Sequence, residues 1–322
     1  MINNHYRIPY MGSKHKMAEI ILKQIMVSCR DYRVRPFYDC FCGGGAVSYL
    51  AAENNLFKRV VANDYEKGLI ELHKRLRDGG PVPHDWVSRE DFKNNHKRDD
   101  WYGAFVRCCF SFSNRGATYL FGKDIEPIKK NMHYFLQTGQ KHFFYDGFSM
   151  QTKESMTEYQ KSIVSPILDK WRAGGGYQEN YIGVYKRAIK SLSGKRCIQE
   201  LQQLEQLQRL QQLERLQQLQ RLERLEFING SYEDLQIPQD AIVYCDPPYR
   251  GTETYDKHKD KSEQGFDYDA FYSWLIALPN KYVFISEYEM PADFVSILKI
   301  EKKTTMVGGS RETKPERVFV RK

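Results

Sequence analysis

The chain has 322 residues, 41% of them hydrophobic, which is enough for a sizeable core and allows about two domains. Lysine and arginine number 49 against 41 aspartate and glutamate, and the formal net charge of +8 favours a polyanionic partner without establishing one. The 7 cysteines are odd in number and no pair has CxxC spacing, which argues against a disulfide framework and a structural zinc site. No apolar run could span a bilayer and no apolar signal core opens the chain, so we expect a soluble, cytoplasmic protein without a membrane partner.

The first predicted elements are a basic, aromatic segment and a helix. Residues 6–16 combine aromatic and basic side chains with a glycine, and residues 17–27 have the apolar pattern of an amphipathic helix. We expect this helix to begin at residues 12–13, with Ser13 as its N-cap. Backbone amides and the Lys14 ammonium at such a start could hold a carboxylate, although an exposed N-terminal loop explains the segment equally well.

A strand, a glycine turn and a helix are predicted next, over residues 36–55. The consecutive glycines at 43–45 allow positive φ angles and a close approach of the backbone to a ligand. Residues 59–64 form a second predicted strand, and its terminal Asp64 lies about 20 residues past the glycines, where a ribose-binding carboxylate belongs. Together the two features indicate an adenosine-containing cofactor, whereas either feature alone is a weak signal.

The region from about residue 86 to residue 194 differs in composition from the segments before it. A helix predicted over residues 66–77 ends at the Gly-Gly-Pro of residues 79–81. Aromatic side chains then alternate with basic and amide ones, which is typical of a nucleic-acid surface, while an ordinary helical domain with an aromatic core fits equally well. The residues concerned are Trp101, Tyr102, Phe105, Arg107, Phe110, Phe112, Asn114, Arg115, Tyr119, Phe121 and Lys123.

Leucine recurs at every third position from Leu201 to Leu225, separated by Gln, Glu and Arg. All four residue types favour helix, but a period of three does not match the 3.6 residues of an α-helical turn, so the leucines wind around the helix. The run is not a heptad seam, and 3₁₀-helices of this length are rare. We expect a long α-helix over residues 200–226, with leucines partly packed and partly exposed, and with an accessory rather than a catalytic role.

The stretch AIVYCDPPY, residues 241–249, places an acid at the end of a buried strand. Its five mostly apolar residues predict the strand, which must end at Pro247 and Pro248 because proline cannot donate to the ladder. Asp246 is therefore held at the carboxyl end of a strand with Tyr249 just beyond it, at the edge where open α/β sheets bind ligands.

The remaining predicted elements flank this strand and complete the sheet. They are a strand at 226–230 with an exit loop at 231–235, a polar mobile loop at 250–268, a helix at 271–278, and strands at 281–286, 294–300 and 317–320, the last two joined through a hairpin turn at 308–310.

The motifs, in this order, resemble those of the Dam-type DNA adenine-N6 methyltransferases, the alpha group of the D12 class. YMGSK at residues 10–14 is similar to the family's N-terminal aromatic-x-Gly-Gly-Lys element, with Ser13 in place of the second glycine. FCGGG at 41–45 resembles its FxGxG cofactor loop, and Asn63 and Asp64 resemble the end of its second strand. IVYCDPPY at 242–249 resembles its catalytic strand, whereas the leucine run departs from the family.

The resemblance implies an α/β fold with a Rossmann-like, S-adenosylmethionine-dependent methyltransferase sheet and helices on both faces, plus an inserted, mostly helical DNA-recognition domain. Residues 1–85 and 199–322 would form the catalytic domain, and residues 86–198 the target-recognition domain. The implied reaction is site-specific methyl transfer from S-adenosylmethionine to the N6 amine of an adenine that is flipped out of double-stranded DNA.

The resemblance also implies roles for individual residues. The catalytic residues would be Asp246, Pro247, Pro248 and Tyr249. The Asp246 carboxylate and the Pro247 carbonyl would accept hydrogen bonds from the N–H groups of the amine, and Tyr249 would stack on the base. Lys14 would meet the methionine carboxylate and Asp64 the ribose hydroxyls, and the full cofactor set would be Tyr10, Lys14, Phe41, Gly43, Gly45, Asp64 and Asp246. Asn114 and Arg115 would begin the DNA-contacting loop, which would include Tyr119, and no metal would be required.

Three other functions are weighed against this one. A cytosine-N4 methyltransferase would use similar chemistry, although the DPPY form leans toward adenine. An NAD-dependent dehydrogenase could explain the glycines and Asp64, but Ser48 replaces the third glycine of its fingerprint and DPPY stays unexplained. A non-catalytic DNA-binding protein is disfavoured because Asp246, Pro247 and Tyr249 are intact. The sequence leaves open the DNA site, a cognate restriction endonuclease as a partner, and a monomer or weak dimer as the oligomeric state.

Overall fold

The structure is a computed structural model that describes residues 7–112, 116–123, 126, 129–130, 133–134, 209–210, 213, 216, 222–249, 266–300 and 315–322. Seven strands among these residues form one sheet. The predicted strands are confirmed, apart from one-residue shifts at some ends. Their bounds are β1 Pro36–Asp39, β2 Arg59–Asp64, β3 Leu225–Asn229, β4 Ile242–Cys245, β5 Tyr282–Glu287, β6 Phe294–Ile300 and β7 Glu316–Arg321.

The order of the strands across the sheet is β3-β2-β1-β4-β5-β7-β6. The strands from β3 to β5 pair in parallel, whereas β7 runs antiparallel to both β5 and β6. This arrangement confirms the predicted Rossmann-like α/β sheet. The chain leaves the central pair, β1 and β4, in opposite directions across the sheet, so their carboxyl ends form a topological switch point, where such sheets bind ligands.

Helices cover both faces of the sheet, as predicted. One apolar core packs the first three helices and the fifth against one face, and the other core packs Phe271 and Leu275 of the sixth helix against Val243 and Val283. None of the described helices is long and apolar enough to cross a membrane. The bounds are α1 Ala18–Ser28, α2 Ala46–Glu53, α3 Lys67–Arg77, α4 Arg89–Asn95, α5 Trp101–Phe110 and α6 Tyr268–Ala277.

The predicted N-cap of the first helix is wrong. α1 begins at Ala18, its N-cap is Met17, and no side chain caps it. The backbone turns before the helix instead, because the Lys14 carbonyl accepts the N–H groups of Met17 and Ala18 at 2.8 and 2.7 Å. This turn carries the Lys14 side chain into the protein, where only 8% of it is exposed.

The sixth helix begins earlier than predicted. Asp267 is its N-cap, and the Asp267 side chain accepts the N–H groups of Asp269 and Ala270. An aspartate in this position satisfies two backbone donors that the first helical turn leaves free. The helix therefore starts at Tyr268 rather than at residue 271, and it ends at Ala277.

Two helices at the start of the predicted recognition domain pack on the core of the seven-stranded sheet. α4 has a capping box formed by Ser88 and Asp91, and α5 lies against α3. Phe105 and Phe110 of α5 are fully buried, so these aromatic side chains belong to the core. Residues 135–208 lie outside the described residues, and the domain boundaries and the mostly helical recognition domain stay predictions.

The leucine run also contributes to the core, and its helix ends sooner than predicted. The described residues 209–210, 213 and 216 are helical, but Leu222–Arg224 is a 3₁₀ turn and Leu225 begins β3. The run is tied to α5 because the Arg209 guanidinium donates to the carbonyls of Cys109 and Ser111, each at 3.0 Å. The leucines at positions 201, 204, 207 and 219 lie outside the described residues, so the predicted exposure of part of the run stays a prediction. The described leucines are buried: Leu210, Leu213, Leu216, Leu222 and Leu225.

Candidate active site

The glycine turn after β1 is shaped by the segment that precedes α1. Gly43 has a φ of 48°, which disfavours any side chain there. At Gly44 a Cβ atom would lie 2.4 Å from the Ile8 carbonyl oxygen, and the Ile8 N–H donates to the Gly44 carbonyl at 2.8 Å. The ring of Tyr10 lies against Gly43, where it would come within 3.1 Å of an added Cβ. The sequence-predicted Tyr10, Gly43 and Gly45 are thus brought together.

A buried histidine fixes the same turn from the other side. His73 Nε2 lies 2.8 Å from the Gly43 carbonyl oxygen, and His73 Nδ1 lies 2.8 Å from the Tyr49 hydroxyl. Burial lowers the pKa of His73 to about 4, so the ring is neutral at physiological pH. A neutral ring has one donor and one acceptor, and this pairing lets Nε2–H donate to the carbonyl while Nδ1 accepts from Tyr49.

Asp64, at the end of β2, bridges the glycine turn and the start of α3. Its Oδ2 accepts the Gly43 N–H at 2.9 Å, and its Oδ1 accepts the Glu66 N–H at 3.0 Å. Burial raises the pKa of Asp64 to about 6, against the opposing effect of these backbone hydrogen bonds. Each carboxylate oxygen has a second lone pair, so Asp64 can still accept hydrogen bonds from hydroxyl groups.

Phe41 belongs to an aromatic group beyond the ends of β1 and β3. Its ring centroid lies 5.4 Å from that of Tyr232, 5.9 Å from that of Phe266 and 5.5 Å from that of Phe271. All four rings are part of, or packed against, the core on the α6 face of the sheet. This group gives the switch point an aromatic wall.

The Asp246 carboxylate, just past β4, is ion-paired with Lys14. Lys14 Nζ lies 2.7 Å from Asp246 Oδ1, 3.1 Å from Glu316 Oε1 and 3.3 Å from the Gly12 carbonyl oxygen. These three acceptors match the three N–H donors of the ammonium group. The short segment that places Tyr10 on the glycine turn thus also delivers Lys14 to the DPPY segment after the neighbouring strand, β4.

Burial and neighbouring charges set the pKa values at this cluster. Burial raises the pKa of Asp246 to about 6, Lys14 opposes the rise, and Glu316 adds to it. Burial alone would lower the pKa of Lys14, but the two carboxylates outweigh it and raise that pKa. Asp39, at the end of β1, is a further carboxyl whose pKa is raised to about 7 by burial, although the Ser48 hydroxyl donates to it at 2.6 Å.

Tyr249 is buried and held on three sides. Its hydroxyl donates to Glu316 Oε1, the Lys14 ammonium lies 4.6 Å from its ring centroid, and Tyr288 contacts it edge-on with centroids 4.7 Å apart. Pro247 is buried, and the carbonyl of Pro248 accepts the Tyr268 hydroxyl at 2.9 Å. The DPPY segment therefore has a defined conformation, anchored to β7 and α6.

The predicted DNA-contacting residues are not brought to this cluster by the described structure. Asn114 and Arg115 lie outside the described residues. Tyr119 forms an antiparallel bridge with Ser111, and its hydroxyl donates to the Val87 carbonyl at 2.7 Å. Among the residues that the structure describes, no group of His, Cys, Asp and Glu side chains could hold a metal ion.

Sequence reasoning missed Glu316, Tyr288 and His73. Their contacts arise from side-chain packing between elements far apart in the chain, and no spacing rule connects them to the motifs. Glu316 carried one available signal, because it directly precedes the strand predicted at 317–320 and opens that strand in the structure. The prediction did not pair that strand with β5, and it is this antiparallel pairing that brings Glu316 to the carboxyl edge of the sheet.

Comparison with known proteins identifies the family. No curated protein matches the chain. Two structures of the rRNA methyltransferase aviRa from Streptomyces viridochromogenes match with TM-scores of 0.31 and 0.32 at 10% identity. These matches cover 95% of this chain and 84% of theirs, but the TM-scores are too low to support an argument. The family described as D12 class N6 adenine-specific DNA methyltransferase matches residues 10–114 and 179–292, more than half of the chain, and confirms the resemblance. The chain therefore belongs to the D12 class N6 adenine-specific DNA methyltransferase family.

Proposed function

We propose that this DNA adenine methyltransferase takes its methyl group from S-adenosylmethionine and delivers it to the N6 amine of an adenine flipped out of double-stranded DNA. The observation that carries the proposal is the position of Asp246, ion-paired with Lys14 at 2.7 Å on the strand next to the glycine turn. Cofactor and target groups bound on either side of this carboxylate would meet at the switch point of the sheet.

The side chains around the switch point fit the functional groups of S-adenosylmethionine. Asp64 keeps lone pairs for ribose hydroxyls, and Phe41 with its aromatic neighbours offers an apolar wall for the adenine ring. Lys14 can meet the methionine carboxylate by exchanging one of its three present contacts. When bound, the cofactor supplies an electrophilic methyl group on sulfur, with Tyr10, Gly43, Gly45 and Asp246 completing the site.

The target amine requires activation, which Asp246 and Pro247 are proposed to supply. The nitrogen lone pair of an adenine amine is delocalised into the ring, so the amine is a weak nucleophile. A carboxylate and a carbonyl that each accept a hydrogen bond from one of its two N–H groups pull the nitrogen toward tetrahedral geometry. The lone pair is then free to attack the methyl group. Both acceptors lie on one rigid segment, so much of the rate gain comes from placement of the reactants.

The flipped base is proposed to stack on Tyr249, with Pro248 completing the segment. Flipping costs a few kcal/mol of unstacking and unpairing, which contacts in the pocket must offset. For the duplex itself, Asn114, Arg115 and Tyr119 remain the proposed contacts and residues 86–198 the proposed recognition domain. The formal net charge of +8 favours the polyanionic substrate.

Asp64→Ala is expected to weaken binding of S-adenosylmethionine by roughly 10- to 100-fold, because hydrogen bonds to a charged group are lost. Isothermal titration calorimetry without DNA measures this directly. Asp78→Ala is the matched control, since Asp78 is exposed and pairs with Arg77 just after α3. Equal affinities for wild type and Asp64→Ala would contradict the ribose-binding role.

The proposed function is tested by incubating the protein with S-adenosylmethionine labelled in its methyl group and with unmethylated double-stranded DNA. We expect N6-methyldeoxyadenosine to carry the label after digestion to nucleosides, and mapping of the modified positions then gives the target site. Label in N4-methyldeoxycytidine would favour the cytosine alternative. DNA that is bound but never labelled would overturn the proposal.

A further inference from the structure

We propose that Glu316 is a positioning residue for methyl transfer, which holds the Tyr249 ring and the Lys14 ammonium so that the Asp246 carboxylate is presented to the target amine. The inference rests on the proposed function and extends it to a residue that no motif contains. The family match ends at residue 292, so Glu316 lies beyond it.

The antiparallel direction of β7 brings Glu316 to the site. In the register of the sheet, Arg317 pairs with Glu287, the last residue of β5. Glu316 therefore lies one residue past the end of β5, at the edge where Asp246 follows β4. Its side chain is buried, so the fold directs a carboxylate inward at the switch point.

Two groups of the candidate site meet on one oxygen of Glu316. The Tyr249 hydroxyl donates to Oε1, and Lys14 Nζ lies 3.1 Å from the same atom. The ammonium in turn lies 4.6 Å from the Tyr249 ring centroid. A buried carboxylate is costly unless it is paired and hydrogen-bonded, so these contacts are a strong constraint on both partners.

The constraint has two consequences for the chemistry. The Tyr249 ring, which is proposed to stack on the flipped base, cannot swing away about χ1 without breaking its hydroxyl bond to Glu316. Lys14 also pairs with Glu316, so its ammonium is shared between Glu316 and Asp246. One ammonium and two ionised carboxylates carry a net negative charge. This charge favours Asp246 as an acceptor of hydrogen bonds from the N–H groups of the target amine.

Substitutions at Glu316 and Tyr249 separate the two contacts. E316Q keeps an acceptor for the Tyr249 hydroxyl but removes the charge near Lys14, E316A removes both, and Y249F removes the hydroxyl alone.

We expect E316A to lower the turnover number at saturating cofactor and DNA by roughly 100-fold, as a misplaced reacting group does, with E316Q between E316A and wild type. The KM for DNA should change less than the turnover number. E226Q, at an exposed glutamate of edge strand β3, is the control and should behave as wild type.

Fluorescence of 2-aminopurine at the mapped target position reports stacking of the flipped base. We expect a brighter signal for Y249F and E316A than for wild type, because the flipped base is less well stacked, and a wild-type signal for E316Q. Wild-type turnover of E316Q together with wild-type fluorescence of Y249F would overturn the inference, even if E316A did not fold. A wild-type enzyme that leaves adenine unmethylated would instead refute the proposed function, so the two failures are distinct.

Discussion

Asp246→Asn is expected to lower the turnover number for adenine methylation by roughly 100- to 1,000-fold, the range seen when one preorganised hydrogen-bonding group is removed from an active site. Asparagine has nearly the same shape as aspartate, but its amide carries no charge and can present N–H donors to an amine that needs an acceptor. The ion pair with Lys14, now 2.7 Å long, would also be lost. DNA affinity should remain near that of wild type, because phosphate contacts dominate it.

Single-turnover transfer of label at saturating S-adenosylmethionine, combined with a DNA-binding titration, separates these two effects. Asp240→Asn is the matched control, because Asp240 is exposed and lies at the opposite end of the same strand. The control should methylate DNA as wild type does. If Asp246→Asn retained turnover within a factor of two of wild type, the catalytic assignment of Asp246 would be wrong.

The central strands and the loops that follow them were predictable because local chemistry determines them. Two prolines end β4 at Cys245, and consecutive glycines separate β1 from α2. The rule that ligands bind at the carboxyl ends of open α/β sheets then places Asp64 and Asp246 at one edge without knowledge of the packing. These predictions needed only strand polarity, which the βαβ pattern supplies.

The supporting residues were not predictable because they depend on tertiary packing. Glu316 reaches Tyr249 across 67 residues of chain, and His73 reaches the Gly43 carbonyl across 30. The error at Ser13 has the same origin. Serine is a good N-cap, but the carboxylates of Asp246 and Glu316 draw Lys14 inward, and the turn that accommodates this moves the helix start to Ala18.

The leucine run is explained by its periodicity where the structure describes it. Leucines three residues apart step around an α-helix by about 60°, so Leu210, Leu213 and Leu216 lie within roughly one third of its circumference. All three are buried in the main core, as one packed face of a helix requires, and Arg209 anchors the run to α5. The leucines at positions 201, 204, 207 and 219 lie outside the described residues, so the exposure of part of the run stays a prediction.

Lys14→Met is expected to destabilise the protein by about 3–5 kcal/mol at neutral pH, because removal of one partner leaves a buried charge uncompensated. Here the ammonium pairs with two carboxylates, the buried Glu316 at 3.1 Å and the largely buried Asp246 at 2.7 Å, whose side chain is 15% exposed. Methionine retains much of the lysine side chain's apolar volume, so the substitution mainly removes the charge and its hydrogen bonds.

The loss should depend on pH in a defined direction. The folded-state pKa of Asp246, about 6, exceeds the usual value of 3.8, so the folded state binds this proton more tightly than the unfolded state does. The contribution of Asp246 to the free energy of unfolding therefore falls as the pH rises from about 4 to about 6. Lys14 opposes this rise in the pKa, and its removal raises the pKa further. The destabilisation caused by Lys14→Met should therefore be smaller near pH 5 than near pH 8.

Thermal unfolding of wild type and variant at pH 5 and pH 8, without cofactor or DNA, measures the difference. Lys23→Met is the matched control, because Lys23 also lies 2.7 Å from a carboxylate, that of Glu19, but is 60% exposed on α1. Such a surface pair contributes about 0–1 kcal/mol, so the control should lose little stability at either pH. A loss for Lys14→Met that is equal at both pH values would show that the ionisation of Asp246 does not depend on the Lys14 charge, and the Lys14–Asp246 ion pair described above would then be wrong.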